Sequence, residues 1–226
     1  MSDSVSVSPF SRLGIVVGME AEASLIRPFL PTARFGLSGA TLSGARQAVL
    51  DLVESGVDAL LSFGLAAGLD PALRPGAVVM SRHVMVNGER LPAAPALLDW
   101  LGADRADVIN GDLLHSDVIV TAATRKTALF HQTGCVALDM ESGVVAEMAA
   151  ARQVPFAVMR VVCDPADRTL PPAAVVALRP DGSLAVGALV RSIACNPFQI
   201  PALIRVGRDA GQARAAAKAA LERRFS

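Results

Sequence analysis

Twice in this chain an apolar, β-rich run ends in a tight turn that carries an acid. The first is Val136-Ala137-Leu138-Asp139-Met140-Glu141-Ser142-Gly143, and the second is Phe156-Ala157-Val158-Met159-Arg160-Val161-Val162-Cys163-Asp164-Pro165. Apolar runs of this length with helical stretches between them are the pattern of strands buried on both faces, which is how parallel sheets are built. In such sheets ligands sit at the carboxyl ends of the strands, where loops vary while the sheet fixes their origin. Two carboxylates at neighbouring strand ends are therefore the first place to look for function.

The rest of the chain alternates in the same way. Leu13 to Gly18 reads as a strand, and a helix is expected from Glu20 to Leu30, stopping before Pro31. A second helix is expected from Ser43 to Ser55, then a buried strand from Ala59 to Phe63 and a small-residue turn, Gly64-Leu65-Ala66-Ala67-Gly68. Pro75-Gly76 precedes a strand over Ala77 to Val86, and a short helix follows Pro95. Ser116 to Val120 reads as a strand leading to a helix at Thr124 to His131, and Ser142 to Arg152 as the helix after the first acid-bearing turn. The expected fold is a three-layer α/β/α sandwich around a central mixed, mainly parallel sheet. At 226 residues with no linker-like stretch, one domain over 12–226 is expected, with 1–11 as a disordered N-terminal segment and 183–226 as a helical C-terminal extension.

Charge and cysteine usage narrow the function classes. With 21 basic and 21 acidic side chains the chain has no net field to recruit nucleic acid. The C-terminal stretch from Ser183 is different, carrying seven Arg or Lys against Asp209 and Glu222, a net +5. An apolar, basic tail can lie against an anionic bilayer surface, although packing on the sheet or on a second subunit is the plainer expectation. Charged residues interrupt every long apolar run, so none reaches the roughly 18 residues that a spanning helix needs. No signal peptide is visible, and three unpaired cysteines fit a reducing compartment, so a cytoplasmic protein, peripheral to the inner membrane face if the tail binds lipid, is expected. His83, His115 and His131 have no metal-ligand spacing, and Gly64 to Gly68 leads to another strand where a dinucleotide site needs a long helix. No metal or nicotinamide cofactor is expected.

Four motifs in order carry a resemblance. Gly18-Met19-Glu20-Ala21-Glu22, Ser62-Phe63-Gly64-Leu65-Ala66-Ala67-Gly68-Leu69, Asp139-Met140-Glu141-Ser142 and Cys163-Asp164, with the two acids 23 residues apart, resemble the nucleoside phosphorylase and nucleosidase superfamily. Asp164-Pro165-Ala166-Asp167-Arg168 running into Leu170-Pro171-Pro172, and the tail Asn196-Pro197-Phe198-Gln199-Ile200-Pro201-Ala202-Leu203, are similar to the hopanoid-associated phosphorylases that process adenosylhopane. The resemblance implies a purine nucleoside phosphorylase of hopanoid biosynthesis that releases adenine from a lipid-linked adenosyl nucleoside, without cofactor and with inorganic phosphate as co-substrate. The alternatives are a hydrolytic methylthioadenosine/S-adenosylhomocysteine nucleosidase and a purine-binding protein without turnover. A homodimer or larger homo-oligomer is also implied, with Leu113 to His131 as a candidate interface.

The chemistry explains the residue types. Breaking the ribosyl C1′–N9 bond builds positive charge on the sugar and negative charge on the base, so one acid must protonate the purine and another group must steady the ribose. By resemblance Asp164 is the general acid at adenine N7, its pKa raised by apolar surroundings, and Glu141 accepts hydrogen bonds from the ribose hydroxyls over Met140. Alone, Asp164 could cap a loop and Glu141 could start a helix; together with the other motifs they point to a site. Gly64, Leu65, Ala66 and Ile119 are implied as substrate contacts, Ile119 lying with Val118 where relatives place an aromatic ring on the base. For the attacking group two possibilities stand: Glu22 activating water, or the Gly18 amide and Arg46 holding phosphate.

Overall fold

The computed structural model describes residues 10–177 and 186–225. Most of the expected N-terminal segment, residues 1–9, lies outside them, as do residues 183–185 and 226 of the expected extension. The Ser11 N–H and Oγ both donate to Asp58 Oδ2, at 3.0 and 2.7 Å.

Among the described residues eight strands and eight α-helices follow in the order β1 (Leu13–Val17), α1 (Glu20–Ile26), β2 (Arg34–Leu37), α2 (Leu42–Glu54), β3 (Ala59–Gly68), β4 (Val78–Val86), β5 (Glu89–Pro92), α3 (Pro95–Leu101), β6 (Val108–His115), α4 (Ala123–Thr133), β7 (Ala137–Asp139), α5 (Ser142–Arg152), β8 (Phe156–Asp164), α6 (Pro172–Ala177), α7 (Val186–Cys195) and α8 (Ile200–Phe225). A 3₁₀ turn, Pro197–Gln199, precedes α8. The sheet is mixed and mainly parallel, as expected: β1 pairs in parallel with β2 and β3, β3 with β8, β4 with β6, and β6 with β7. The antiparallel pairs are β3 with β7, and β4 with β5 and β8. Because β3 meets both β8 and β7, and β4 meets both β8 and β6, the centre of the sheet curls back on itself.

Helices cover both faces. Successive side chains of a strand point to opposite faces. Met159 of β8 shares a small cavity with Ala220 and Leu221 of α8, whereas Arg160 reaches Ser142 at the start of α5. Thus α8 and α5 lie on opposite sides of β8. Strands β1 and β8 are central, every residue of β1 is buried, and β8 is apolar apart from Arg160 and the terminal Asp164. The main core joins them to β3, β4 and the inner faces of α2, α3, α5 and α8, while a smaller cluster under α4 gathers Leu69, Met85, Cys135 and Leu138.

Four local outcomes differ from the expectations. Gly64 to Gly68 is no turn: β3 continues through it, pairing Gly64 with Arg160 and Ala66 with Val162, then after a register shift Ala67 with Asp164, while Ala67 and Gly68 also pair with β7. Its residues are small because other side chains cross over them. Ser116 to Val120 is loop, closed by a 2.7 Å hydrogen bond from Ser116 Oγ to Val118 O, and the strand instead precedes it as β6, where Asn110, Gly111 and Asp112 break the apolar pattern. Edge strand β2 escapes periodicity because only one side of it is paired. Strand β5 returns on β4 through Asn87-Gly88, both at positive φ (50° and 86°), the chemistry that a two-residue hairpin turn requires.

Candidate active site

The four motifs meet at the carboxyl ends of β1, β3, β7 and β8. Strand β1 stops at Gly18, and the first turn of α1 brings back Glu22, which is 5% exposed. Its Oε2 accepts the amides of Gly18 (2.8 Å) and Met19 (3.1 Å), and its Oε1 accepts that of Leu65 (2.9 Å). Three main-chain donors, two from the turn after β1 and one from within β3, therefore hold one carboxylate.

Beside it lies a buried cluster that sequence reading missed. Arg160, in the middle of β8 and 1% exposed, places Nη2 2.6 Å from Asp139 Oδ2 and 3.5 Å from Glu141 Oε2. The same nitrogen donates to Ser62 Oγ (2.7 Å) and Ser142 Oγ (3.1 Å), and the Ser142 amide and hydroxyl both donate to Asp139. Asp139 thus orients the guanidinium, and the guanidinium faces Glu141. A lone arginine inside an otherwise apolar strand was the available signal, since such a charge survives burial only when paired.

These charges shape one another. Burial above all, with Asp139 and Glu22 pushing the same way and Arg160 opposing, raises the Glu141 carboxyl to about 7. Arg160 stays above the usual arginine range, because Asp139, Glu141 and Glu22 outweigh the burial that disfavours its charge. Glycines make room for the cluster. A Cβ on Gly64 would stand 2.3 Å from Arg160 Nη1 and 2.6 Å from Glu22 Oε1, and one on Gly18 would stand 3.0 Å from Glu22 Oε2 and 3.4 Å from Glu141 Oε1. Gly64→Ala is accordingly expected to lower stability by about 1–3 kcal/mol through overpacking. Gly211→Ala on α8, where nothing lies within 4 Å of the added carbon, is the matched control and should be neutral or slightly stabilising. Equal urea midpoints for the two variants would refute the crowding.

Asp164 ends β8 just past a register shift, opposite Ala67 of β3, and faces residues of α8. Burial raises its pKa, and Asp209 adds to that, whereas Lys126 and Arg168 oppose it. Lys126 is the second residue that sequence reading missed: α4 carries it wholly buried, with Nζ 2.6 Å from Asp164 Oδ2. Nothing in a polar helical stretch marks one lysine as the inward one. Next to Asp164 a cavity of about 290 Å³ opens between the loop after β8 and the start of α8, lined by Asp164, Arg168, Thr169, Leu170, Arg205 and Asp209. An Arg168–Asp209 ion pair spans its two walls.

The other expected residues are dispersed. Met140 is half-buried between the two acids of its turn, while Leu65 and Ala66 lie on β3 beside Glu22. Ile119, 42% exposed with Val118 at 66%, is in the loop after β6 and does not line the cavity at Asp164. Arg46 stands on the exposed side of α2. The Cys163 thiol is pushed up to about 12 by burial and by Asp164, so it stays protonated and is no nucleophile. Among the described residues no group of His, Cys, Asp and Glu is arranged to hold a metal ion.

The profile described as phosphorylase superfamily matches residues 33–195. No curated relative matches the chain in sequence. The fold is similar to that of 5′-methylthioadenosine/S-adenosylhomocysteine nucleosidase from Neisseria meningitidis, a structure in complex with methylthio-immucillin-A, with TM-score 0.65 and 16% identity over 93% of this chain and 97% of that one. It is also similar to the same nucleosidase from Helicobacter pylori (TM-score 0.62, 14% identity, 94% and 98% covered). A futalosine hydrolase mutant of Helicobacter pylori is a further match, at TM-score 0.62 and 15% identity over 81% and 98% of the two chains. At such identities the likeness is one of fold.

Proposed function

The chain belongs to the phosphorylase superfamily, a family of enzymes, and from that premise we propose that it releases adenine from an adenosyl nucleoside with a large apolar 5′ group, adenosylhopane, using water as acceptor. The observation that supports the bond cleavage is the buried cluster of Glu22, Glu141 and Arg160, next to strand β3, whose Ala67 pairs with Asp164 at the end of β8. As C1′–N9 breaks, its electron pair passes to the purine, and Asp164 gives its proton to N7 to become a carboxylate. Glu141 accepts from the ribose hydroxyls while Arg160 holds it in place. Water adds its oxygen to C1′, and Glu22 takes the proton, so the proton lost at Asp164 is balanced by the one gained at Glu22.

The choice of water over phosphate rests on the three amides at Glu22. An anion would need the Gly18 amide, which Glu22 already occupies, and would have to approach two buried carboxylates. Arg46 on its exposed helix face offers no compensation.

The apolar 5′ group rests on the resemblance of the tail and on its surface. Phe198 is 92% exposed, and Ile200 and Ile204 follow it on α8, which also lines the cavity through Ala202, Arg205 and Val206. Such exposed side chains, with Arg191, Arg205 and Arg208 also exposed, would let the enzyme rest on an anionic membrane surface while it takes up a lipid-linked nucleoside. Among the described residues no helix is long and apolar enough to cross a membrane. Exposed Val118 and Ile119, within the stretch from Leu113 to His131, are where a second copy would dock.

The test is adenine release from adenosylhopane in detergent micelles and from methylthioadenosine, each with and without inorganic phosphate. Phosphate-independent release that favours the lipid substrate is the expected result. Phosphate-dependent release would replace water by phosphate as acceptor, and release from methylthioadenosine alone would make the protein a nucleosidase of small thioether nucleosides, the reading that the amide-held Glu22 also suits.

A further inference from the structure

We propose that Lys126 is a positioning residue that acts through Asp164, keeping its carboxylate form stable so that it is a stronger acid toward the leaving base, and tying down the loop beside it. The proposal rests on Asp164 being the acid of the reaction above.

The geometry of Lys126 is specific. It is the only residue of α4 that is buried, and its side chain is 0% exposed. An ammonium has three protons to donate, and each has an acceptor: Asp164 Oδ2 at 2.6 Å, Pro165 O at 3.1 Å and Arg168 O at 3.0 Å. Burying such a charge is costly unless it is paired and fully bonded, and a loop tie alone would not call for a charge. Two further bonds fasten the same loop to the approach of α4, from the Ala123 amide to Thr169 Oγ1 (3.1 Å) and from the Leu170 amide to Thr121 O (3.0 Å).

The pairing divides the two oxygens of Asp164. Oδ2 is taken by Lys126, and among the described residues Oδ1 has no protein partner, so it is the atom left for the base. When the neutral acid gives its Oδ1 proton to purine N7, the carboxylate that remains is met at once by the ammonium 2.6 Å away. The other charged or titratable groups around Asp164 are Asp167 and Arg168 from the loop, Asp209 and Arg205 from α8, and the Cys163 thiol beside it on β8. Arg168 is bound to Asp209, which leaves Lys126 as the charge in direct contact.

The test reads Asp164 itself and then turnover. Carboxyl carbon-13 NMR titration, assigned by the signal lost in Asp164→Asn, gives the ionisation of Asp164 in the wild type, in Lys126→Met and in Lys126→Gln, which keeps a donor without the charge. Removing the cation should raise the Asp164 midpoint by about 1–3 pH units in both variants. The sign for activity follows, because the reaction needs the protonated acid: the alkaline limb of adenine release from adenosylhopane should move up by the same amount, while the plateau falls roughly tenfold as the acid weakens. Lys126→Arg should return the midpoint towards the wild-type value. An unmoved midpoint in both neutral variants overturns the proposal whether or not the protein turns over substrate. A midpoint that moves while the release profile does not also overturns it, and in that case the fault lies with Asp164 as the acid and hence with the proposed reaction.

Discussion

Asp164→Asn is expected to lower adenine release by about 10²–10⁴-fold, the usual worth of a positioned general acid. The amide keeps the shape and can accept from Lys126 Nζ, but it has no proton of suitable acidity for N7. A second effect comes from the same change. The ammonium of Lys126, wholly buried, loses its counter-charge, and breaking a buried pair from one side costs about 3–5 kcal/mol. The variant should therefore be both inactive and less stable, and a low rate alone would not separate the causes. The double variant Asp164→Asn/Lys126→Met does so: with the unpaired charge gone, stability should recover relative to Asp164→Asn while release stays absent. Urea unfolding read beside adenine release checks both halves. Near wild-type turnover in Asp164→Asn would remove the acid from the mechanism.

A comparable loss of stability is expected at Arg160. Arg160→Met takes the cation from a site where Asp139 and Glu141 contact it directly and Glu22 is close by, all buried, and about 3–5 kcal/mol should be lost at neutral pH. The loss has a definite pH dependence. Without the guanidinium the remaining carboxyls bind protons more tightly in the folded state than in the unfolded one, so folding is favoured at low pH and loses that support as pH rises. Glu141 already stands at about 7 with Arg160 present, against an ordinary 4.5. The destabilisation should thus be small near pH 4.5 and grow through pH 7. A urea midpoint that drops equally at both pH values would show that the arginine acts by packing rather than by charge.

The pairing of catalytic and structural charge explains which parts of the site sequence could reveal. The acid-bearing turns at Asp139-Met140-Glu141 and Cys163-Asp164 were legible because strand, turn and helix leave local signals: apolar runs, a helix start, a proline. Glu22 came only through the resemblance, which matches Met19-Glu20 to the family's turn. Arg160 and Lys126 were not legible, because what distinguishes them from any other arginine or lysine is the set of acceptors brought to them from β3, β7, α5 and the loop after β8. Gly64 was assigned to a turn for the same reason, since its small size answers to the guanidinium and carboxylate crossing it and not to its own backbone.

The amino-acid sequence by itself determined the alternation of strand and helix, the mainly parallel sheet and the placing of acids at strand ends, because each follows from periodicity and turn chemistry within a few residues. Only the tertiary structure decided the charge state of those acids. Burial and long-range pairing set it, joining Glu141 to Arg160 and Asp164 to Lys126 across 19 and 38 residues of chain. Such electrostatic environments belong to the packed fold, where low polarity makes each partner count, and have no local signature in the chain.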